Sequence, residues 1–378
     1  MKPVLSLNLS DVHLGHRRLD PEIMCHKLWA FIEPKLEGIN LLVLEGDLFD
    51  TAVGFSDTAS RYILGFLIKL LKKCEALDIT VRLLLGTFSH DRRQIINVVA
   101  IHESLGLTNN LRYFDTVSVE YIEKFDMKVA YIPDNVPYES SEAVIADIYD
   151  KMEVMGWETL DYIYIHGYFD HVLPNTNHGV KVVFREDQFS FIDRFVVVGH
   201  VHQHSMRGKI IYNGSTERLA HNEEEAKGIV LIDDKVTEAS ITFIENTSAT
   251  KFVTFDYSDK TSEENIIEDF RQSLEALPDK EVIYVRIIHP SGEIRQALGS
   301  YLKNNYPLVQ YSHSKGSETK VNRNEEILIP KEKMSTGDIT PHNLPELVYT
   351  YISTKNKDST VLGRDDIEAM LYQLERDD

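Results

Sequence analysis

Cysteine is scarce in this sequence: Cys25 and Cys74 are the only two among 378 residues, and neither belongs to a CxxC pair. Their scarcity and spacing argue against a disulfide framework or a thiolate zinc site and indicate a reducing compartment. No apolar run approaches the length of a membrane span, and the first nine residues are too interrupted for a signal peptide. We therefore expect a cytoplasmic protein with no membrane partner.

Positively charged residues are also fewer than negatively charged ones. Forty lysine and arginine residues stand against 60 aspartate and glutamate residues, which gives a formal net charge of −20. No global basic field would draw such a chain to a polyanion, so nucleic-acid contact would depend on local basic residues or on bound metal cations. The length and the 43% hydrophobic content suffice for two folded parts and a tail.

Short apolar runs alternate with longer amphipathic stretches over residues 1–245. Runs rich in Val, Ile and Leu are typical of strands buried on both faces of a sheet, and they cover residues 4–9, 41–44, 81–85, 129–132, 162–165, 195–198, 210–212 and 228–232. Helical spacing is found over residues 22–36, 58–77 and 141–155. The pattern predicts an α/β sandwich with a mixed sheet.

A second series of predicted strands and helices begins near residue 250. The segments KFVTFDY and EVIYVRIIHP predict strands, and each is followed by a predicted helix, the first of which has Ser262 as its N-cap. This indicates a small α+β domain, followed by a polar linker over residues 312–333. Two short amphipathic segments, 344–352 and 367–374, come last. We therefore divide the chain into residues 1–248, 249–335 and 336–378.

Carboxylate and imidazole side chains stand where the predicted strands end. Open α/β sheets build their ligand sites at such positions, and the residues concerned are Asp11, His13, Asp47, His90, His166, His200 and His202. Taken singly, an aspartate at a strand end commonly caps a helix, and a histidine in a loop is commonly solvated. Gathered in one pocket, these groups would lack partners unless cations held them. Two divalent ions roughly 3.5–4 Å apart, bridged by one carboxylate, would clamp a phosphate and activate a water.

The ordered motifs DVH, GD, SHD, HG and GHVH resemble the signature of the calcineurin-like metallophosphoesterases. Within that superfamily, the segments SDVHLG, GDLFD and YNGSTERLAHNEEEAKGIVLID resemble the SbcD-type DNA repair nucleases. The resemblance implies a four-layer α/β/β/α sandwich with mixed sheets over residues 1–248. It also implies a capping domain, a candidate for DNA binding, over residues 249–335 and a helical tail that binds an ATPase partner over residues 336–378.

The resemblance also implies which residues hold metal. It assigns Asp11, His13 and His202 to the first metal, His166 and His200 to the second, and Asp47 to both. Ser89 stands where the family has an asparagine that ligates the second metal through its carbonyl oxygen. Two residues separate Gly86 from Ser89, whereas the usual glycine directly precedes the asparagine.

Two further roles concern catalysis and substrate. By resemblance, His90 donates a proton to the leaving oxygen or stabilises charge on the phosphate, and Asp91 orients it. Two pairs of arginines follow the site motifs closely and are candidates for DNA phosphate contacts, with ordinary solvated surface as the alternative: Arg17 and Arg18, and Arg92 and Arg93.

The function that the resemblance implies is a DNA nuclease with 3′ to 5′ exonuclease and single-strand endonuclease activity, dependent on two Mn²⁺, with Mg²⁺ as the alternative. It would act with an SbcC-like ATPase in DNA repair, recombination or replication, as a homodimer within a heterotetramer, in a bacterial cell or a phage-infected host. Two alternatives stay open. One is a phosphatase or phosphodiesterase for small compounds or proteins, which the acidic composition mildly favours; the other is a weakened scaffold for the ATPase, suggested by Ser89.

Overall fold

Two six-stranded mixed sheets are present in a computed structural model, which describes residues 2–315 except 55, 135, 173–181, 235–238, 261, 278–282 and 308. The first sheet has four parallel strands and two antiparallel strands at one edge. In spatial order, its strands are β14 (Ser240–Glu245), β13 (Gly228–Asp234), β1 (Val4–Leu9), β2 (Leu41–Glu45), β3 (Thr80–Leu84) and β4 (Leu111–Phe114).

The second sheet also has four parallel strands, with one antiparallel strand at each edge. In spatial order, its strands are β11 (Ser205–Arg207), β12 (Ile210–Tyr212), β10 (Ile192–Gly199), β7 (Leu160–His166), β6 (Met127–Ile132) and β5 (Ser118–Ile122). A separate two-stranded sheet pairs β8 (Tyr168–Phe169) with β9 (Val183–Phe184).

Helices cover the outer faces of both sheets. The first sheet packs against α1 (Pro21–Ile32), α2 (Ser60–Ala76) and α4 (Ile95–Ser104), and the second against α5 (Ser141–Met155). Successive strand residues face opposite sides, so Leu42 and Leu44 of β2 pack with the helices while Leu41 and Val43 pack against the second sheet. The predicted α/β sandwich with mixed sheets is confirmed, in the order helices, sheet, sheet, helix.

The local predictions agree well with the observed elements. Strands 4–9 and 210–212 and helix 141–155 have the predicted bounds. The helix predicted over 22–36 is α1 continued by a short 3₁₀ turn, Glu33–Lys35. Helix α4 and the edge strands β4, β5, β11 and β14 are not among the predicted elements.

The small domain contains a three-stranded parallel sheet in the order β15 (Lys251–Asp256), β16 (Ile283–Ile288) and β17 (Gln310–Ser314). Helices α6 (Glu263–Glu275) and α7 (Gly292–Asn305) form its crossovers and pack on it around Phe270 and Leu298. Parallel pairing makes this an α/β unit and not the predicted α+β domain. Strand β17 also replaces the start of the linker that was predicted from residue 312.

Two further predictions concern the N-cap of α6 and the C-terminal segments. Ser262 is the N-cap residue of α6, as predicted, but its side chain makes no capping hydrogen bond. The segments 344–352 and 367–374 lie outside the described residues. Among the described residues, every helix falls short of the length and apolar content that a membrane crossing needs.

Candidate metal centre

Six of the predicted metal ligands form two neighbouring clusters at the carboxyl ends of the parallel strands. We call Asp11, His13 and His202 the first cluster and Asp47, His166 and His200 the second cluster. Within each cluster, one nitrogen or oxygen atom per residue lies within 4.8 Å of the others, close enough to share a metal ion. Each cluster takes residues from both sheets, so the site exists only because the two sheets pack face to face.

Asp47 lies between the two clusters. Its Oδ2 is 3.7 Å from Nε2 of His13 and 3.5 Å from Nε2 of His166. Nε2 of His13 is also 3.3 Å from Nε2 of His202, and Nε2 of His166 is 3.1 Å from Nδ1 of His200. One carboxylate oxygen is therefore within reach of ligand atoms from both clusters.

The donors fit a divalent cation. Oδ1 of Asp11 is buried and accepts no hydrogen bond, and it lies 3.7 Å from Nε2 of His202. A buried carboxylate oxygen without a partner is costly unless a cation neutralises it. Mixed carboxylate and imidazole ligands suit hard to borderline divalent ions. The residues present can thus hold metal, although they do not by themselves specify which one.

The backbone at the site is held in an uncommon conformation. The φ angles are 51° at Asp11, 51° at His13, 49° at Asp47 and 81° at His200, all in the left-handed region that non-glycine residues seldom adopt. Such conformations persist only where the surrounding structure enforces them, and they gather at functional sites. The strand ends therefore turn sharply to direct these side chains into the clusters.

Two glycines allow the strand ends to approach closely. A Cβ atom on Gly86 would overlap the backbone nitrogen of Asp47, and one on Gly199 would overlap the carbonyl oxygen of Glu45. Any larger residue at either position would force the neighbouring strand ends apart at the clusters. Both glycines are therefore required by close approach, and not by a turn.

Hydrogen bonds fix which ring nitrogen of His166 and of His202 faces the site. Nδ1 of His166 donates to the carbonyl oxygen of Glu45 at 2.6 Å, which leaves Nε2 for the second cluster. Nδ1 of His202 lies 3.1 Å from Oε1 of Glu223, which leaves Nε2 for the first cluster. Partners of this kind orient metal-binding imidazoles and raise their basicity.

Glu223 is itself held by a buried lysine. Nζ of Lys227 lies 2.9 Å from Oε2 of Glu223 and 2.6 Å from Oε1 of Glu225, and it donates to the carbonyl oxygen of His202 at 2.9 Å. Burial opposes ionisation of Glu223, but the hydrogen bond with His202 and the charge of Lys227 outweigh it and lower its pKa to about 2. This support for His202 was not predicted from the sequence, although it lies within the acidic stretch that carried the resemblance.

The titrating groups of the second cluster are strongly linked. Burial works against protonation of His166, but the charge of Asp47 outweighs burial and raises the pKa of His166 to about 10. Burial and the neighbouring His166 together lower the pKa of His200 to about 4. In the absence of metal, the proton on His166 therefore supplies the positive charge that the buried Asp47 carboxylate needs.

His90 lies beside the first cluster and is partly open to solvent. Its side chain is 36% exposed, and its ring stands perpendicular to that of His13 with 4.8 Å between centroids. Nδ1 donates to the carbonyl oxygen of Asp50 at 2.7 Å, so Nε2 is the nitrogen available for proton transfer. His13, Asp50 and His90 also form a third group with metal-ligand spacing.

Asp91 does not orient His90, contrary to the sequence prediction. Its buried carboxylate accepts backbone N–H bonds from Asp47 at 3.0 Å, Phe49 at 3.0 Å and Gly86 at 2.8 Å. Burial and the charge of Asp47 raise the pKa of Asp91 to about 6. Asp91 therefore ties together the loops after β2 and β3, while the Asp50 carbonyl orients His90.

Ser89 is also placed differently from the prediction. It is exposed on the short helix α3 (Phe88–Asp91), and its carbonyl oxygen accepts a bond from Nε of Arg92. The hydroxyl that reaches the second cluster belongs to Thr87, whose Oγ1 is 3.1 Å from Oδ2 of Asp47. The spacing of the motif could have indicated Thr87, because Thr87 follows Gly86 directly, as the family's asparagine follows its glycine.

The two arginine pairs lie in different surroundings. Arg17 and Arg18 line a notch of about 300 Å³ together with Arg286 of β16, which was not predicted from the sequence; the remaining lining residues are His221, Tyr284 and Ser312. Arg92 and Arg93 are exposed, with left-handed φ angles of 42° and 62°. The first pair is thus part of a formed concavity.

No family model matches the chain, and no curated protein matches it. Among solved structures, TT1561 of Thermus thermophilus is similar at 12% identity and a TM-score of 0.37, over 64% of this chain and 99% of TT1561. GAP50, the anchor in the inner membrane complex of Plasmodium, is similar at 12% identity and a TM-score of 0.36, over 65% of this chain and 86% of GAP50. Similarity at this level does not bear on activity, ligand or partner.

Proposed function

We propose that this protein is a metal-dependent phosphoesterase of the calcineurin-like type. The observation that carries the proposal is the position of Asp47, whose single carboxylate oxygen lies within 3.7 Å of ligand nitrogens in both clusters. A carboxylate shared between two sets of ligands is the arrangement that holds two cations at phosphoester-cleaving sites. Four cluster residues have positive φ angles. Because backbone strain of this kind gathers at functional sites, it supports a functional role for the clusters.

The chain's own residues then have separate tasks. Bound divalent cations would supply Lewis acidity toward a phosphoryl oxygen and a water. Asp47 neutralises charge at both clusters, and Asp11, with one buried oxygen free of hydrogen bonds, does so at the first. In its protonated form, His90 can release a proton from Nε2 to the leaving oxygen, while Nδ1 keeps its own hydrogen in the bond to the carbonyl oxygen of Asp50.

As the substrate we propose DNA, cleaved in the SbcD-like manner, with two Mn²⁺ or in their place Mg²⁺. The support is the notch lined by Arg17, Arg18 and Arg286. Among the described residues, none of these three arginines forms an ion pair, although the chain as a whole carries a net charge of −20. Guanidinium groups without an acidic partner suit further phosphates of a polyanionic substrate.

We also propose that the protein acts with an SbcC-like ATPase, as a homodimer within a heterotetramer, in DNA repair, recombination or replication. The segments 344–352 and 367–374 support this part through their sequence pattern, in which apolar residues recur at i, i+3 and i+4 spacing. Apolar stripes of this kind bind in grooves of partner proteins.

The central test compares two substrates. Purified protein with Mn²⁺ is incubated with labelled DNA and, separately, with a small chromogenic phosphodiester. We expect cleavage of both, with DNA strongly preferred, and loss of both activities in Asp47→Asn. The exposed Asp150→Asn variant, which makes the same change in charge on α5, serves as the control and should remain active.

Other outcomes decide between the alternatives. Turnover of the small ester without DNA cleavage would favour a phosphodiesterase for small compounds. No turnover of either substrate, with Mn²⁺ bound, would favour the scaffold. Full activity in Asp47→Asn would contradict the proposed role of the shared carboxylate.

A further inference from the structure

The hydroxyl of Thr87 lies inside the second cluster. Its Oγ1 is 3.1 Å from Oδ2 of Asp47, 3.2 Å from Nδ1 of His200 and 3.4 Å from Nε2 of His166. The two imidazole nitrogens are 3.1 Å apart, close enough to bind the same cation. A single hydroxyl has one hydrogen and cannot donate to three acceptors at once.

The local backbone directs this side chain away from its usual partner. Thr87 is the N-cap residue of α3, where a threonine ordinarily accepts a bond from an N–H of the first turn. Here the side chain makes no capping bond. The backbone N–H of Thr87 donates to Oδ1 of Asp47 at 2.6 Å, and the backbone N–H of Gly86 donates to Oδ2 of Asp91 at 2.8 Å. These two backbone hydrogen bonds therefore hold the turn in a conformation that places Oγ1 of Thr87 in the second cluster.

We propose that Thr87 Oγ1 is a direct ligand of the cation in the second cluster, beside Asp47, His166 and His200. This inference rests on the proposed metal-dependent function and specifies one of its two sites. A neutral hydroxyl oxygen adds no negative charge to that site, which has one carboxylate shared with the first cluster. The second cluster should therefore bind a hard divalent cation such as Mn²⁺ more weakly than the first.

The test uses three variants and Mn²⁺ alone, without substrate. Thr87→Val keeps the shape of the side chain but removes the hydroxyl, Thr87→Ser keeps the hydroxyl, and Ser89→Ala removes an exposed hydroxyl two residues further on. Calorimetric titration and electron paramagnetic resonance give the number of Mn²⁺ bound and the affinity of each site.

We expect two binding steps in the unmodified protein. Thr87→Val should weaken the second step about tenfold to a hundredfold, the loss expected when a charged centre loses a polar partner, and it should leave the first step unchanged. Thr87→Ser and Ser89→Ala should retain both steps.

Two results would overturn the inference: a Thr87→Val variant that binds both ions like the unmodified protein, or one that loses both ions together with its thermal stability, which would make Thr87 structural. Failure of the proposed function looks different. In that case the unmodified protein and the Thr87 variants show the expected binding steps, but no phosphoester is cleaved.

Discussion

The backbone N–H of His200 donates to Oδ2 of Asp11 at 2.9 Å, a bond between the two sheets that joins residues 189 positions apart. It fixes one oxygen of the carboxylate, while Oδ1 remains buried and without a hydrogen-bond partner. Asp11 therefore helps to hold the two sheets together and also presents an unsatisfied oxygen to the first cluster.

His90→Ala should lower the rate of phosphoester cleavage by roughly 10²–10⁴, because a positioned proton donor is lost. Metal occupancy should change little, because the side chain stands at the edge of the first cluster and is 36% exposed. Steady-state kinetics and a Mn²⁺ titration on the same preparation check both parts. If Mn²⁺ is lost together with activity, His90 belongs to the coordination shell with His13 and Asp50.

Glu223→Gln should weaken Mn²⁺ binding at the first cluster by about 10–100-fold, because the carboxylate that orients His202 is lost. The neighbouring Glu224 is exposed, so Glu224→Gln makes the same change in charge without touching His202 and is the matched control. Metal titration of both variants, with ¹⁵N spectra of the imidazole to identify the His202 tautomer, provides the measurement. Equal affinities in the two variants would show that Glu223 has only a structural role.

Arg286→Gln should weaken DNA binding and lower the slope of log affinity against log salt by about 1, as expected when one phosphate contact is removed. Turnover of a small chromogenic phosphodiester should stay unchanged, since the notch contains none of the cluster residues. Arg271→Gln, on α6 and paired with Glu268, is the control from the same domain. A salt slope that Arg286→Gln leaves unaltered would exclude the notch from the DNA path.

Mn²⁺ binding should become tighter as the pH rises. His166 has a pKa raised to about 10, and it binds metal only as the neutral imidazole. At neutral pH the proton on Nε2 must leave, so the affinity should increase by about tenfold per pH unit for one proton released, up to the pKa of His166. Calorimetry in buffers of different ionisation enthalpy measures the protons released. A value of zero near neutral pH would mean that His166 is neutral before metal arrives.

Local patterns in the sequence were enough to predict most of the central strands. Strands buried on both faces are rich in Val, Ile and Leu, which is why β1 and β12 have their predicted bounds, although Ser6 and Asn8 interrupt the apolar residues of β1. Edge strands and α4 were missed: the edge strands have few buried positions, and three of the ten residues of α4 are buried. Strand β17 is polar on its exposed positions and was assigned to a linker for the same reason.

The sequence by itself also determined which residue types stand at the strand ends, and hence the six members of the two clusters. Strand order and parallel direction then bring those ends to one place, whatever the details of the loops. Only the tertiary structure decided which loop atoms point inward. Thr87 and not Ser89 reaches the second cluster, because Asp91 and Asp47 anchor the turn through backbone hydrogen bonds. Arg286 joins Arg17 and Arg18 only when the small domain packs beside α1, since residues so far apart in the chain share no local pattern.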